Sequence, residues 1–391
     1  MKLGLLKDIK EGENRVILTP SEIHSIVNDG HEVYVQHNAG ERAGFEDEEY
    51  EKAGAKILQT AKEIFSLCDF ITKVKELEES EYELLKENQI IYTCLHPAAH
   101  PEEVQVLLDK KLTSITAEDT HRYGSPNCEA AGKTGAFMGL YAAMTMNNGM
   151  GKFVSGLGAA PNMNVLIIGC GTVGKGAIEF LFNNGANVTV MGQTIGHLRD
   201  VSQKYNGAVS TMIGNRYNLN QVLPTVDMVV NCVRWDKSNK DYMITREMVK
   251  TMKKGSVIVD ISNDYGVIET FHETTHDKPM YIEEGVVHYC VSNIPSCIAQ
   301  TASIAYAASV VGHIRNILNL GLTRAMIKDG YLRRGLVTYK GYLTHEETSQ
   351  IQNIPWIQPE VILQLQNEEL DLAPKNTNAV SENYYNLDEL I

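Results

Sequence analysis

The chain has 391 residues, enough for two or three domains with sizeable cores. Its 43% hydrophobic and 21% charged residues are ordinary for a globular protein, and its net charge of −14 argues against a nucleic-acid partner, which requires a basic face. The sequence has no run of about 18 apolar residues, so it predicts no membrane span. The first ten residues lack the apolar core of a signal peptide. The seven cysteines include no Cys-x-x-Cys pair and favour a reducing, cytoplasmic compartment; no ligand spacing predicts a bound metal.

The first part of the chain alternates short strands with helices, the pattern of a parallel α/β sheet. The predicted strands are residues 2–6, 31–36, 70–74, 89–95 and 112–117, and the predicted helices are residues 22–28, 46–53, 60–66, 80–86 and 101–110. Lys75 and His96 stand just past the ends of two of these strands. Ligands of open α/β sheets bind outside the carboxyl ends of the strands, so we expect both side chains near a ligand.

Three nitrogen-bearing side chains of this part are candidates for chemistry. Arg15 offers a planar fork suited to a carboxylate, and Lys75 offers a point charge for a carboxylate or a carbonyl oxygen. His96 can exchange protons near neutral pH. Any one of them alone is better explained as a surface charge or a loop residue, but their joint position at strand or loop ends favours a functional site.

A glycine turn at the middle of the chain predicts a dinucleotide site. An apolar run, residues 165–168, leads to Gly169, Gly171 and Gly174, and a helix (175–184) and a strand (186–191) follow. In this pattern the first glycine permits the turn, the second lets a pyrophosphate approach, and the third lets the helix pack on the strand. The N-terminus of the helix points free N–H groups at the phosphates. Thr172 and Val173, between the second and third glycines, are also predicted to bind the cofactor. The alternative is a tight turn without a ligand.

The residues after the second strand of this unit bear on the choice of cofactor. An acid usually binds the ribose hydroxyls here, but the chain has Gly192 and Gln193 followed by threonine. The missing carboxylate favours the 2′-phosphorylated cofactor, NADP, although the nearest arginine is Arg199. Gly192 and Gln193 are therefore predicted to contact the cofactor.

The remaining predicted elements are strands at 228–232, 256–261 and 286–291, helices near 218–223 and 245–252, and two long helices, 129–146 and 301–320, that connect two lobes. Asp264 falls past one of these strands, where a carboxylate could pair with an imidazolium or a developing ammonium. Asn293 follows the next strand and could hydrogen-bond a carboxamide, while Asp260 lies in or beside its strand. Ordinary turn chemistry is the alternative for these residues.

Several stretches of the chain carry a family resemblance: residues 7–20, 30–33, 44–50, 73–76, 95–96, 169–174, 253–266 and 289–295. With these motifs the chain resembles the alanine dehydrogenase and nicotinamide nucleotide transhydrogenase α-subunit family over residues 1–347. N5-(carboxyethyl)ornithine synthase and saccharopine dehydrogenase are related to that family. The resemblance implies an α/β fold of two Rossmann-like, doubly wound lobes linked by two long helices. A discontinuous catalytic domain would comprise residues 1–128 and 303–391, and a dinucleotide-binding domain residues 129–302.

The resemblance also implies a role for each candidate residue. Arg15 and Lys75 would hold the substrate carboxylate and carbonyl oxygen, and His96 would be the acid/base. Asp264 would assist proton transfer and contact the ribose or the substrate nitrogen, and Asn293 would lie near the nicotinamide and the substrate. The family implies NAD(P) as cofactor, an amino acid and a 2-oxo acid as substrates, and a homo-oligomer.

Departures from the family pattern leave the substrate open. Pro97 follows the predicted acid/base, and the bulky Arg234 and Trp235 stand in a loop that is rich in glycine and proline in alanine dehydrogenases. These two side chains would either line a pocket for a larger substrate or lie in an exposed loop. An alanine-dehydrogenase-like reductive amination ranks first, followed by an opine-type synthase that reduces the imine of pyruvate and a basic amino acid. A non-catalytic NAD(P)-binding sensor or a transhydrogenase-like subunit is the alternative of another class.

Overall fold

Two β-sheets organise the computed structural model, which describes residues 1–233, 235, 241–262 and 266–374. Within the described residues, one compact unit comprises Met1–Pro126 and residues 298–374, and the other comprises Asn127–Cys297. The expected α/β fold with two Rossmann-like lobes, the first discontinuous, is confirmed. The chain passes between the units at the beginning of one long helix and just before the beginning of another, and the functional assignment of the two domains stays a prediction.

The strands of the described residues are, in chain order, β1 (Lys2–Leu5), β2 (Glu32–Gln36), β3 (Lys56–Leu58), β4 (Phe70–Lys75), β5 (Ile90–Cys94), β6 (Thr113–Thr116), β7 (Asn164–Ile168), β8 (Asn187–Gly192), β9 (Ser210–Ile213), β10 (Met228–Asn231), β11 (Val257–Asp260), β12 (Met280–Glu283), β13 (Val286–Tyr289), β14 (Leu336–Tyr339) and β15 (Tyr342–Leu343).

The helices of the same residues are α1 (Pro20–Asn28), α2 (Asp47–Lys52), α3 (Ala61–Leu67), α4 (Glu79–Tyr82), α5 (Pro101–Asp109), α6 (Pro126–Ala142), α7 (Thr172–Asn183), α8 (Ile195–Lys204), α9 (Arg216–Val222), α10 (Arg246–Lys250), α11 (Ala299–Leu320), α12 (Leu322–Lys328), α13 (Gly330–Arg334), α14 (Glu346–Gln352) and α15 (Pro359–Ile362). Short 3-10 turns connect several of them.

The strand orders place the carboxyl ends of neighbouring strands at one edge of each sheet. The first sheet has the order β15-β14-β6-β5-β4-β1-β2-β3, and β1 to β6 are parallel where they pair. The second has the order β12-β13-β11-β10-β7-β8-β9, and only the pair β12–β13 is antiparallel. The helical crossovers cover both faces, as parallel sheets require.

Side-chain alternation explains why the strands read as continuous apolar runs in the sequence. In β7, Val165 and Ile167 belong to one hydrophobic core, whereas Leu166 and Ile168 belong to the core on the opposite face of the sheet. Successive residues of a strand point to opposite faces, so a strand that is covered on both faces has no polar side. The first sheet likewise has a core on each face.

The helix α11 lies in the core of the first unit. By length and composition alone, Ile294–Leu320 would qualify as a membrane span, although the sequence analysis predicted none. Tyr306, Val310, Ile314 and Ile317 form a fully buried stripe within the core of this unit. This spacing of three and four residues is that of an amphipathic helix packed on a protein core.

Glycines of α6 allow that helix to pack closely within the second unit. A Cβ at Gly132 would overlap the carbonyl oxygen of Val173 in α7, and a Cβ at Gly139 would lie 2.7 Å from Val259 Cγ2 in β11. These glycines therefore bring α6 against both the first turn of α7 and the sheet. The contact with Val173 fixes the helix that follows the glycine turn.

Candidate active site

Four polar side chains of the first unit follow four adjacent parallel strands. Arg15 lies in the segment after β1, Lys75 ends β4, His96 follows β5 by two residues and Glu118 follows β6 by two residues. Since β6, β5, β4 and β1 are neighbours in this order, the four residues lie along one edge of the sheet. This edge is where open α/β sheets bind ligands.

Arg15 is held by a carboxylate two residues before it. Glu13 accepts hydrogen bonds from Arg15 Nε (2.8 Å), Nη2 (2.5 Å) and the backbone N–H (2.9 Å). Both side chains are buried, with exposures of 4% for Arg15 and 1% for Glu13. Burial by itself lowers the pKa of Arg15, but the Glu13 carboxylate raises it, and the net shift is upward. The guanidinium is therefore charged and fixed in orientation.

His96 has an unusual backbone conformation that a carboxylate stabilises. Its φ and ψ of 45° and 51° lie in the left-handed region, although Pro97 follows and disfavours helical conformations at the preceding residue. Glu118 Oε1 accepts the backbone N–H of His96 at 2.7 Å and lies 3.3 Å from its Nδ1. Burial and the charge of Asp119 raise the pKa of Glu118 to about 7. The imidazole of His96 thus stands beside a carboxyl group whose pKa is raised by burial.

The Cys94 thiol is a common neighbour of these groups. Burial raises its pKa to about 12, and the charges of Lys75 and Arg15 both oppose this shift. Its sulfur lies 2.9 Å from the hydroxyl oxygen of Tyr306 in α11. Cys94 pairs with Lys75 in the sheet and precedes His96 by two residues, so it lies beside the ends of the two strands that carry them.

Glu103 of α5 is a buried carboxyl group of the first unit whose protonation affects stability. Its Oε1 accepts the backbone N–H of Leu77 at 2.7 Å, and burial raises its pKa to about 8. The folded protein therefore holds a proton that the unfolded chain releases above its ordinary pKa of about 4.3. The contribution of Glu103 to the unfolding free energy therefore falls by roughly 3 kcal/mol as the pH rises from about 5 to 8.

Replacing Glu103 with glutamine should remove that part of the pH dependence and keep the hydrogen bond to Leu77. We expect the unfolding free energy of Glu103→Gln, measured with denaturant at pH 5, 6, 7 and 8, to decline less than that of the wild type. Parallel curves for the two proteins would show that Glu103 is ionised in the folded state at all four values.

Close contacts require glycine at two positions of the turn in the second unit, and the third glycine has open space beside it. Gly169 has a φ of 96°, and a Cβ there would lie 3.1 Å from the Cys232 carbonyl oxygen. A Cβ at Gly174 would overlap the carbonyl oxygen of Gly169, so helix and turn touch at this point. A Cβ at Gly171 would meet nothing within 4 Å, so the space beside its backbone is open. No side chain caps the N-terminus of α7 there.

Gly192 and Gln193 lie at the end of β8, next to this turn. Gly192 is buried, and a Cβ would come within 3.1 Å of Leu198 Cδ2 and 3.2 Å of Cys170 Sγ. Gln193 is half-buried. Thr172 is exposed and Val173 half-buried in the first turn of α7. Gly192 ends β8, the neighbour of β7, Gln193 follows it, and Thr172 and Val173 follow the turn itself, but nothing in the contacts of these four residues assigns a ligand to any of them.

The other predicted residues of this unit have different outcomes. Asn293 has a left-handed backbone (φ 57°), and its carbonyl oxygen accepts the N–H of Ser296 at 3.0 Å. Asp264 and Arg234 lie outside the described residues. Trp235 is only 5% exposed and packs in a hydrophobic core, so it does not belong to an exposed loop. Asp260 is fully buried and accepts a hydrogen bond from Asn231 at 2.9 Å.

Sequence reasoning missed three carboxylates that contact these residues: Glu13, Glu118 and Asp8, whose Oδ2 accepts the backbone N–H of Lys75 at 2.8 Å. Glu13 is two residues from Arg15, a spacing that could have indicated the pair. Glu118 lies 22 residues from His96 in the chain, and no local signal connects them. Among the described residues, no group of three or more His, Cys, Asp or Glu side chains is placed to hold a metal ion.

Two family models match most of the chain. The model of the alanine dehydrogenase/PNT N-terminal domain matches residues 4–127, and the model of the corresponding C-terminal domain matches residues 135–346.

Curated relatives and solved structures agree with these models. An alanine dehydrogenase of Methanococcus maripaludis is 36% identical over 371 residues, covering 93% of this chain and 100% of that protein. Alanine dehydrogenase 2 of Staphylococcus aureus is 35% identical over 373 residues with the same coverage. The solved structure of an L-alanine dehydrogenase superposes with a TM-score of 0.84 at 30% identity, covering 90% of this chain and 99% of the other. A transhydrogenase structure from Sinorhizobium meliloti, at 18% identity and a TM-score of 0.72, covers 88% and 99% and shares the fold.

Proposed function

Because this chain belongs to the alanine dehydrogenase/PNT family, we propose that it catalyses the reversible reductive amination of pyruvate to alanine with a nicotinamide cofactor. It is an oxidoreductase that acts on CH–NH2 donors, like its relatives. One observation carries the proposal of the site: Arg15, Lys75 and His96 follow the carboxyl ends of three adjacent strands. A cation, a hydrogen-bonding fork and a proton-exchanging ring are what a 2-oxo acid needs.

Each side chain has a step in the proposed reaction. Arg15, fixed by Glu13, hydrogen-bonds the substrate carboxylate, and Lys75 polarises the carbonyl oxygen of the 2-oxo acid. Ammonia adds to the carbonyl carbon, and His96 protonates the departing hydroxyl so that water leaves and an imine forms. The nicotinamide supplies a hydride to the imine carbon when it is bound. Holding both reactants at attack distance supplies much of the rate, and we propose that Asp264 assists the proton transfers.

The second unit fits a dinucleotide. The space beside Gly171 admits a pyrophosphate, and the uncapped N-terminus of α7, with Thr172 and Val173, would supply N–H donors and the positive end of the helix dipole. Gly192 and Gln193 would lie near the ribose, and Asn293 near the nicotinamide. The lack of an acid at Gly192 supports acceptance of the 2′-phosphorylated form. We further propose that the protein is cytoplasmic and forms a homo-oligomer. Light scattering of the purified protein tests the oligomeric state.

Introducing an acid at Gly192 should disfavour NADPH relative to NADH. A carboxylate repels the 2′-phosphate and accepts ribose hydrogen bonds, so we expect the ratio of kcat/KM for the two cofactors to move about tenfold toward NADH in Gly192→Asp. Gly192→Ala is the matched control, because it places the same Cβ against Leu198 without a charge. An unchanged ratio in both variants would put the ribose elsewhere.

The absorbance of reduced nicotinamide tests the function directly. Purified protein is given NADH or NADPH with pyruvate and ammonium, then with pyruvate and ornithine or lysine. We expect oxidation with ammonium. Oxidation only with a basic amino acid would replace the proposal with an opine-type synthase, and no oxidation with any amine would favour a sensor or a transhydrogenase-like subunit.

A further inference from the structure

Lys75 differs from the other cations at this edge of the sheet. Lys10 is paired with Glu76, Arg15 with Glu13, and Lys73 with Glu81. None of the ion pairs found among the described residues involves Lys75, whose side chain is half-buried. Its positive charge acts on Lys10, whose pKa is lowered by burial and by Lys75. Lys75 therefore supplies the uncompensated charge that attracts an anionic substrate, whereas Arg15 supplies directional hydrogen bonds.

An irregularity in β4 sets the position of Lys75. Thr72 pairs with Tyr92 and Lys75 pairs with Cys94, so β4 has one residue more than β5 across this interval. Such a bulge changes the direction of the side chains that follow it, and bulges are frequent next to active sites. The extra residue leaves Lys73 buried at 1% exposure while Lys75 reaches the edge of the sheet.

The Asp8 carboxylate accepts the backbone N–H that follows this irregularity in β4. β1 ends at Leu5, and the N–H of the next residue, Leu6, still donates to the Thr72 carbonyl oxygen. Beyond that point Asp8 Oδ2 accepts the backbone N–H of Lys75 at 2.8 Å, and Oδ1 accepts the N–H of Lys10 at 3.1 Å. A side chain thus takes the place of a strand backbone. Asp8 is 5% exposed, and its Oδ1 lies 3.9 Å from Lys73 Nζ.

The backbone carbonyl group of Lys75 is held by a hydrogen bond as well. Thr93, fully buried in β5, donates its hydroxyl to the Lys75 carbonyl oxygen at 2.6 Å. Both polar backbone groups of Lys75 are therefore held by side chains of neighbouring segments. The geometry points to Asp8 as a positioning residue that fixes Lys75, and through it the binding of the substrate's anionic and carbonyl oxygens. This inference rests on the proposed function for the identity of the substrate.

The test compares Asp8→Asn with Asp8→Glu. An amide has one acceptor oxygen, so Asp8→Asn keeps at most one of the two backbone contacts and loses the charge near Lys73. We expect KM for pyruvate to rise about tenfold with kcat within threefold, because the ammonium is misplaced but present. Asp8→Glu retains both acceptor oxygens and should recover most of the affinity.

Asp227 provides the matched control for general destabilisation. It is 2% exposed in the second unit, accepts the backbone N–H of Asn164 at 2.8 Å, and contacts Lys152 at 2.6 Å and Lys253 at 2.7 Å. Asp227→Asn should lower the unfolding free energy without changing KM for pyruvate. An equal rise in KM for this variant would show that Asp8 acts through stability alone.

Failure of this inference can be told from failure of the proposed function. Absence of turnover by the wild type with every 2-oxo acid overturns the function. Turnover by the wild type with an unchanged pyruvate KM in Asp8→Asn overturns the positioning of Lys75. Calorimetric titration of pyruvate into the protein saturated with NADH measures the same loss of affinity whether or not chemistry follows.

Discussion

Replacing His96 with alanine should abolish turnover and leave nucleotide affinity nearly intact. The imidazole follows β5 in the first unit, whereas the glycine turn lies in the second. Loss of a general acid/base lowers rates by about two to four orders of magnitude. We expect kcat to fall by that amount, and the dissociation constant of NADH, measured by fluorescence titration, to change less than twofold.

Two further variants separate chemistry from structure. Alanine tolerates the left-handed conformation of this residue poorly, whereas asparagine adopts it readily, so His96→Asn should be equally inactive and more stable. His100→Ala is the matched control, because His100 lies four residues on with its Nε2 3.8 Å from Glu76. Loss of both turnover and NADH binding in His96→Asn would mean that His96 is structural.

The sequence predicted the central strands of both sheets because these strands are covered on two faces. Residues 70–74 were predicted as a strand, and the structure has β4 at Phe70–Lys75. The strand predicted at residues 228–232 is β10, Met228–Asn231. The sequence analysis did not predict the edge strands β3 and β9. Lys56–Leu58 and Ser210–Ile213 are short, partly exposed and pair on one side only, so no apolar run marks them.

Helix beginnings were misplaced where tertiary contacts override propensity. The helix after the glycine turn was predicted to begin at residue 175, but α7 begins at Thr172. Gly174 lies inside its first turn because helix and turn touch there. The helix predicted at 129–146 is Pro126–Ala142, since proline suits the first helical position.

The sequence identified the cations of the candidate site, whereas the structure was needed to find their partners. Arg15, Lys75 and His96 were singled out because strand ends and motifs mark them. Glu13 is two residues from Arg15, but the carboxylates that contact His96 and Lys75 lie 22 and 67 residues away in the chain. Such pairs depend on the strand order of the sheet, which places β1 beside β4, and no local pattern encodes that order.

Replacing Arg15 with methionine should affect both stability and activity, and the two effects can be separated. The substitution leaves the buried Glu13 carboxylate without its guanidinium, and breaking a buried ion pair in this way costs about 3–5 kcal/mol. We expect the unfolding free energy of Arg15→Met to fall by that amount. The affinity for pyruvate should also fall, because the substrate carboxylate loses its hydrogen-bonding fork.

The double variant Glu13→Gln/Arg15→Met decides which loss is functional. Removing both charges removes the desolvated carboxylate, and replacing a whole buried pair is often neutral for stability. The double variant should therefore unfold close to the wild type in denaturant while its KM for pyruvate stays as high as that of Arg15→Met. Recovery of activity together with stability would contradict a contact between Arg15 and the substrate. The pair would then be an element of the fold, and Lys75 alone would bind the carboxylate.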